Sequence, residues 1–189
     1  MRGVIRSCIC AVIMSLHELA MAQKVSDSVM CVKGEYITHY GSSQEVFQKE
    51  LIHELYELTN GSYNPLFGSL EMERPKGDAK VFVIAGGGTG IAEYRKLQKI
   101  RVPFITGVLH ENDVDYQIAS DLAVKVISTK CFDIIPETSF QNALECLKSC
   151  HTVINCLIEY GEMNKRNLQL CESAKSLGLK VVDSVDMIL

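Results

Sequence analysis

Val81-Phe82-Val83-Ile84-Ala85-Gly86-Gly87-Gly88-Thr89-Gly90 is the stretch that decides the fold. Val81 to Ile84 are all β-branched or aromatic, the composition of a strand. No polar residue breaks the run, so the strand is expected to be buried on both faces, as in a parallel sheet covered by helices. Glycines follow at once, and Ile91 to Ile100 then carries apolar residues at helical spacing. A glycine turn between a strand and a helix lets backbone amides approach an anion at the helix N-terminus. The frame from Gly86 places Ile91 where the dinucleotide fingerprint has its third glycine, so that fingerprint is absent. The other reading is a tight turn that needs small residues for packing. Both readings stand at this level.

Working outward toward the C-terminus, the same rhythm repeats. Pro103 to Leu109 reads as a strand, Asp113 to Ala123 as a helix and Lys125 to Ile127 as a short strand. Thr138, with Gln141 three residues on, is expected to cap the next helix. Thr152 to Leu157 is a further strand, and Asn164 to Leu177 a helix stopped by Gly178 in the C′ position. Leu179 to Val182 closes the series. Strands alternating with helices predict a Rossmann-like open parallel sheet with helices on both faces, over residues 79–189. In such a sheet His110, Glu111 and Asp113 end the second strand on the edge occupied by Gly86, Gly87, Gly88, Thr89 and Gly90. These eight residues are the candidate ligand site, for a small anionic molecule. Asn155 and Glu159 could add polar groups to it, and Asp113 is also a natural N-cap. His110, Glu111 and Asp113 lack the spacing of metal ligands, so no metal is expected.

Toward the N-terminus the pattern changes. Asn60 to Asp78 holds Gly61, Pro65, Gly68, Pro75 and Gly77 and reads as a linker or an ordered crossing loop, with 61–78 as its span. Before it, Ala11 to Ser15 is expected as a strand and Glu18 to Val25 as a short helix. Val29 to Val32 and Tyr36 to Tyr40 flank Lys33-Gly34-Glu35 as a hairpin. Ser42 and Glu45 form a capping box, opening a helix whose apolar side carries Val46, Phe47, Leu51, Ile52, Leu55 and Tyr56. The start of the chain also has features of a secretory leader, with two arginines by Arg6 and Ala20-Met21-Ala22 as a cleavage-site mimic. A buried strand leading into a helix explains the same letters.

Composition narrows the function classes. The 189 residues are 47% hydrophobic and 22% charged, a folding composition, and a net charge of −4 gives no electrostatic reason to bind nucleic acid. No apolar run reaches the ~20 residues a membrane-spanning helix needs. The eight cysteines contain no C-x-x-C pair and lie mostly in apolar runs, so reduced, mostly buried thiols of a cytosolic protein are expected.

Residues 1–60 carry a resemblance. Ile13-Met14-Ser15-Leu16-His17-Glu18-Leu19, then Ala22, and Ser26-Asp27, resemble the switch-histidine segment of ABC transporter ATPase domains. Val32 to Ile37 and Tyr40 to Phe47 resemble that family's next hairpin and capped helix. The resemblance implies that residues 1–60 are the C-terminal remnant of an ATPase domain, with His17 as the catalytic switch that reaches a γ-phosphate. Gly61-Ser62-Tyr63-Asn64-Pro65-Leu66-Phe67-Gly68-Ser69 before a glycine-rich α/β domain resembles an extension on ATPases of iron-siderophore, haem or cobalamin importers. Full-length members bind ATP and Mg, pair with a transmembrane permease and a second ATPase subunit, and sit in the cytoplasm at the inner face of the cell membrane.

The departures from the family bear on activity. No G-x-x-x-x-G-K-[ST] phosphate loop, signature motif or acidic strand end occurs in the chain, so it is not expected to bind ATP tightly or hydrolyse it alone. A fragment of an importer ATPase with a regulatory or ligand-sensing domain is the leading expectation. A stand-alone Rossmann-like module binding a small molecule or nucleotide is the alternative.

Overall fold

The structure, a computed structural model, describes residues 11–188. The arginine-flanked start of the leader reading and Cys8 and Cys10 lie outside the described residues. The chain divides into two compact units, one ending at Glu71 and the other starting at Met72.

In the first unit the strand expected at Ala11 to Ser15 does not form. Residues 11–18 are irregular, and Val12, Ile13, Met14 and Leu16 are exposed, Ile13 almost completely at 99%. A strand needs neighbours to take its N–H and C=O groups, and none of the described strands lies alongside this segment. Helix α1 (Leu19–Val25) follows, then the expected hairpin of β1 (Ser28–Lys33) and β2 (Tyr36–Ser42). The capping box forms as read: the Glu45 amide donates to Ser42 Oγ, and the Ser42 amide donates to Glu45 Oε2 at 2.8 Å. The helix it opens is one turn only, α2 (Ser43–Val46), and α3 (Lys49–Leu55) follows after a break at Phe47. The break lets the successive side chains of Val46 and Phe47 both turn inward, while Ile52 comes from α3. Phe47, Ile52 and Tyr63 make a small core with Leu19, Ala22, Val29 and Leu55 around them.

The stretch read as a linker contains a second hairpin, β3 (Gly61–Asn64) and β4 (Ser69–Met72). Asn64 Oδ1 accepts from the amides of Leu66 and Phe67, which sets the turn. Gln23 on α1 ties the hairpin down: its amide donates to Pro65 O at 3.1 Å, and its Oε1 accepts from the Tyr63 hydroxyl. Four-residue strands with one buried aromatic give almost no periodic signal, so glycine and proline dominate the reading there.

The second unit is the open parallel sheet. Its strands are β5 (Val81–Ile84), β6 (Phe104–His110), β7 (Lys125–Thr129), β8 (Thr152–Asn155) and β9 (Lys180–Val182), in the spatial order β7-β6-β5-β8-β9. All four neighbouring pairs are parallel. Between them run α4 (Ile91–Lys99), α5 (Val114–Leu122), α6 (Glu137–Lys148) and α7 (Lys165–Ser176). Phe82, Ile84, Ile105 and Val153 form a core with Ala143 and Leu147 of α6 and Leu170, Cys171 and Ala174 of α7. On the α4 face Tyr94 stacks on Phe104, with ring centroids 5.2 Å apart. The Tyr94 hydroxyl shares a hydrogen bond with Thr106, whose own hydroxyl donates to Val83 O. Every residue of β5 is buried, the consequence of having helices on both sides.

Two local expectations meet different outcomes. Gly178 takes a left-handed φ of +73° directly after the Leu177 cap of α7, as its C′ position requires. Thr138 is not the cap of α6, because the helix already begins at Glu137 with Pro136 at N-cap. Proline has preset φ there and no amide to satisfy. The six described cysteines are all free thiols.

Candidate functional site

The strand order reverses on either side of β5, with β6 on one side and β8 on the other. Beyond the C-terminal ends of these strands lies a cleft of about 370 Å³. Crevices at such a switch point are where open α/β sheets hold ligands. One wall is the turn after β5, through Gly86, Gly87 and Thr89. Val108, His110 and Asp113 come from the end of β6 and the loop after it, Leu157, Ile158 and Glu159 from beyond β8, and Asn164 and Asn167 from the start of α7.

The turn is capped from within the protein. The Gly87 amide donates to Asp113 Oδ2 at 2.8 Å. Gly88 and Gly90 donate to the two oxygens of Asp115, at 2.9 and 3.0 Å. Asp115 accepts from the Ile91 amide as well. The Gly86 amide donates to Thr89 Oγ1, and the Thr89 hydroxyl returns a bond to Gly86 O. The Thr89 amide completes the turn by donating to Gly86 O. A bound anion would have to displace one of these internal acceptors. The positive end of α4 is matched instead by a buried carboxylate.

Asp115 is fully buried. Burial pushes its carboxyl up to about 6, and the charge of Asp113 adds to the rise, while the amides of Gly88, Gly90 and Ile91 oppose it. Asp113 also caps α5, as its sequence position suggests, because its Oδ1 accepts from the Asp115 amide. Beside the cleft, burial and then the charge of Glu93 push the Cys156 thiol up to about 12. That thiol stays protonated and is no nucleophile.

The sequence-derived candidates divide here. Gly86, Gly87, Thr89, His110 and Asp113 come together around the cleft, whereas Gly88, Gly90 and Glu111 do not line it. Gly90 is a packing glycine: a Cβ there would lie 2.6 Å from Ala85 Cβ and 2.6 Å from Tyr94 Cζ. Glu111 is exposed, and its backbone bridges to Thr129 and Gln117. His110 Nε2 lies 2.8 Å from Asp133 O. Asn155 folds its own loop, bonding Leu157 and accepting from the Tyr160 hydroxyl, and Glu159 lines the cleft. His17 stands in the first unit, exposed in the irregular segment before α1. Among the described residues no group of three or more His, Cys, Asp or Glu side chains could hold a metal ion.

Asp115 and Asn167 are the residues that sequence reasoning missed. The partners of Asp115 lie 25 and 27 residues away, so no local pattern reveals them. Asn167 sits inside a helix yet is buried. Its amide group holds Val108 from both sides, accepting from the Val108 amide at 3.0 Å and donating to its carbonyl at 3.0 Å.

Comparison with known proteins places this fold among relatives. The chain is 34% identical over 100 residues to a protein of Methanocaldococcus jannaschii named as an uncharacterized ABC transporter ATP-binding protein, MJ0873. That alignment covers 52% of this chain and 34% of the relative, so the chain spans only about a third of that protein's length. It is also 37% identical over 78 residues to uncharacterized protein MJ0874 of the same organism, over 41% of this chain and 84% of the relative. The sequence model of the MJ0874 family matches residues 104–185, from the start of β6 to the segment after β9. With most of that relative covered at this identity, the chain belongs to the MJ0874 family.

Proposed function

We propose that this chain is part of the ATP-binding component of an ABC transporter, and that its second unit is a ligand-sensing domain for that transporter. The observation that carries the reading is the 34% identity, over 100 residues, to an ABC transporter ATP-binding protein. The exposed apolar residues of the first unit support it. Val12, Ile13 and Leu16 before α1, and Met30, Val32, Tyr36, Ile37 and Tyr40 on the β1–β2 hairpin, are all open to solvent. So many exposed apolar side chains in one small unit fit a surface that packs against further protein, here the rest of an ATPase domain. His17 would then act as the switch histidine of that assembled domain. ATP and magnesium would bind to phosphate-loop residues outside the sequence of this chain. The glycine turn, with its amides engaged by Asp113 and Asp115, does not fit a triphosphate.

No helix among the described residues is long and apolar enough to cross a membrane. In this reading the protein sits in the cytoplasm, peripheral to a transmembrane permease and a second ATPase subunit. An importer of iron complexes or cobalamin is the finer form of the proposal, and it rests only on the resemblance of residues 61–69. Affinity purification of the full chain from membranes of its own cells tests the main reading. Recovery of an ABC permease together with a phosphate-loop ATPase subunit is the expected result, and recovery of neither would sink it.

A stand-alone binding module is the second reading. It is favoured by the sheet and the cleft lying wholly in the unit that starts at Met72. In that case the same purification returns the chain without transporter subunits.

A further inference from the structure

We infer that the cleft beyond β5, β6 and β8 takes a small organic ammonium ion with an apolar body, rather than a phosphate or carboxylate. This rests on the ligand-sensing reading and names the chemistry of that site.

The donors an anion would need are already engaged. All the turn amides from Gly86 to Ile91 donate to Asp113, Asp115, Thr89 or Gly86. Among the described residues no lysine or arginine lines the cleft. What it presents are acceptors. Each Asp113 oxygen takes one amide bond, leaving about half the lone-pair capacity of the carboxylate for a ligand. Glu159 lines the mouth and makes no hydrogen bond or ion pair among the described residues. His110 Nε2 donates its proton to Asp133 O, so that side of the ring is already committed. An anion brought into this setting meets two carboxylates and, among the described residues, no lysine or arginine, whereas a cation meets complementary charges.

The apolar part of the ligand is recognised by the other wall. Leu157, Val108 and Ala85 line the cleft beside the carboxylates. Ile158, next to Glu159 in sequence, is 92% exposed at the rim. An apolar group laid over Ile158 would remove that side chain from water while the ammonium reached Glu159. A cleft of about 370 Å³ is near the lower end of the range for small-molecule pockets, which suits a molecule of modest size.

The test uses the full 189-residue chain, labelled with ¹⁵N, and four kinds of probe. Butylammonium, choline and putrescine are the cations; butanol is the neutral analogue, butyrate the organic anion, and inorganic phosphate the remaining anion. At least one ammonium compound should shift the amide resonances of Gly87, His110 and Glu159, with butanol, butyrate and phosphate leaving them in place. Glu159→Gln should then weaken that binding about tenfold without disturbing resonances elsewhere. This position is chosen because Glu159 makes no hydrogen bond or ion pair among the described residues, whereas Asp113 also caps α5. Binding of butyrate or phosphate at these resonances would overturn the ammonium assignment and leave a ligand site of different chemistry. Silence from every probe would overturn both the assignment and the sensing role. Neither result alters the outcome of the membrane purification, so the transporter association is tested separately. Binding that Glu159→Gln leaves unchanged would also overturn the assignment.

Discussion

At the scale of single residues, Asp115 has the largest consequence. Its carboxyl is buried against the N-terminus of α4 and raised to about 6, above the ~3.9 of an aspartate in an unfolded chain. The native state therefore binds this proton more tightly than the unfolded state does. The stabilisation from that proton is fully present below pH ~3.9 and is lost as pH rises through about 6. Other carboxyls run the opposite way: Glu45, Glu57 and Glu137 are held below their usual range by Ser42, Lys33 and Gln141 respectively. Comparison with Asp115→Asn cancels those terms. Between pH ~7.5 and ~5 the wild type should gain roughly 1–1.5 kcal/mol relative to the variant, read by urea unfolding at each pH. A difference that stays flat with pH would mean the carboxyl is not perturbed. Gly90 gives a second residue-scale expectation. Gly90→Ala must push against Tyr94, which is held by Phe104 and Thr106, and should cost about 2–3 kcal/mol. Gly87→Ala meets no atom within 4 Å and bears only the strain of φ +64°, about 1–2 kcal/mol. Equal melting temperatures for the two variants would contradict the packing role of Gly90.

At the scale of elements, β6 depends on α7. The register between β6 and β7 shifts between Thr106 and Leu109, which takes Val108 out of the β6–β7 ladder. Asn167 of α7 takes the place of the missing strand neighbour by bonding both the N–H and the C=O of Val108. Asn167→Leu leaves two buried backbone groups unsatisfied and should destabilise by about 2–4 kcal/mol. Hydrogen exchange at the Val108 amide should accelerate along with it. Protection of that amide in the variant would show that the bulge has another partner. The elements also show where sequence is legible. Val81 to Ile84 can be read because a strand buried on both faces is written as a continuous apolar run, and Thr152 to Asn155 keeps only Val153 and Ile154 of that signal. Ala11 to Ser15 is written the same way, yet pairing is a property of neighbours, and no described strand supplies them. The glycine turn is visible from its composition. The carboxylates that occupy its amides are not, because they come from a helix start some 25 residues further on.

At the scale of the whole molecule, the two units should differ in how they respond to cleavage and unfolding. Residues 73–80 are irregular and mostly exposed, and they contain Arg74, Lys76 and Lys80. Arg74 donates to Ser120 O and the carbonyl of Glu73 accepts from Gln98, so the segment is tethered at its start. Gly77 and Asp78 are exposed and carry no such tether. Trypsin should therefore cut first after Lys76, or after Lys24 near the exposed segment before β1, and spare the interior of the sheet. The fragment from Gly77 onward keeps all five parallel strands and all four helices of the second unit. It is also of a length that can bury its own core. It should melt cooperatively, close to the upper transition of the intact chain. The first unit has a core of only a few side chains and many exposed apolar ones, so its transition should come at lower temperature. Packing of that apolar surface onto a phosphate-loop ATPase domain would raise the lower transition by mass action and slow the cut after Lys24. Addition of the purified ATPase subunit recovered from membranes supplies the measurement. If neither the lower transition nor the rate of that cut responds to it, the first unit is not built to complete an ATPase domain. Its apolar hairpin then has some other covering.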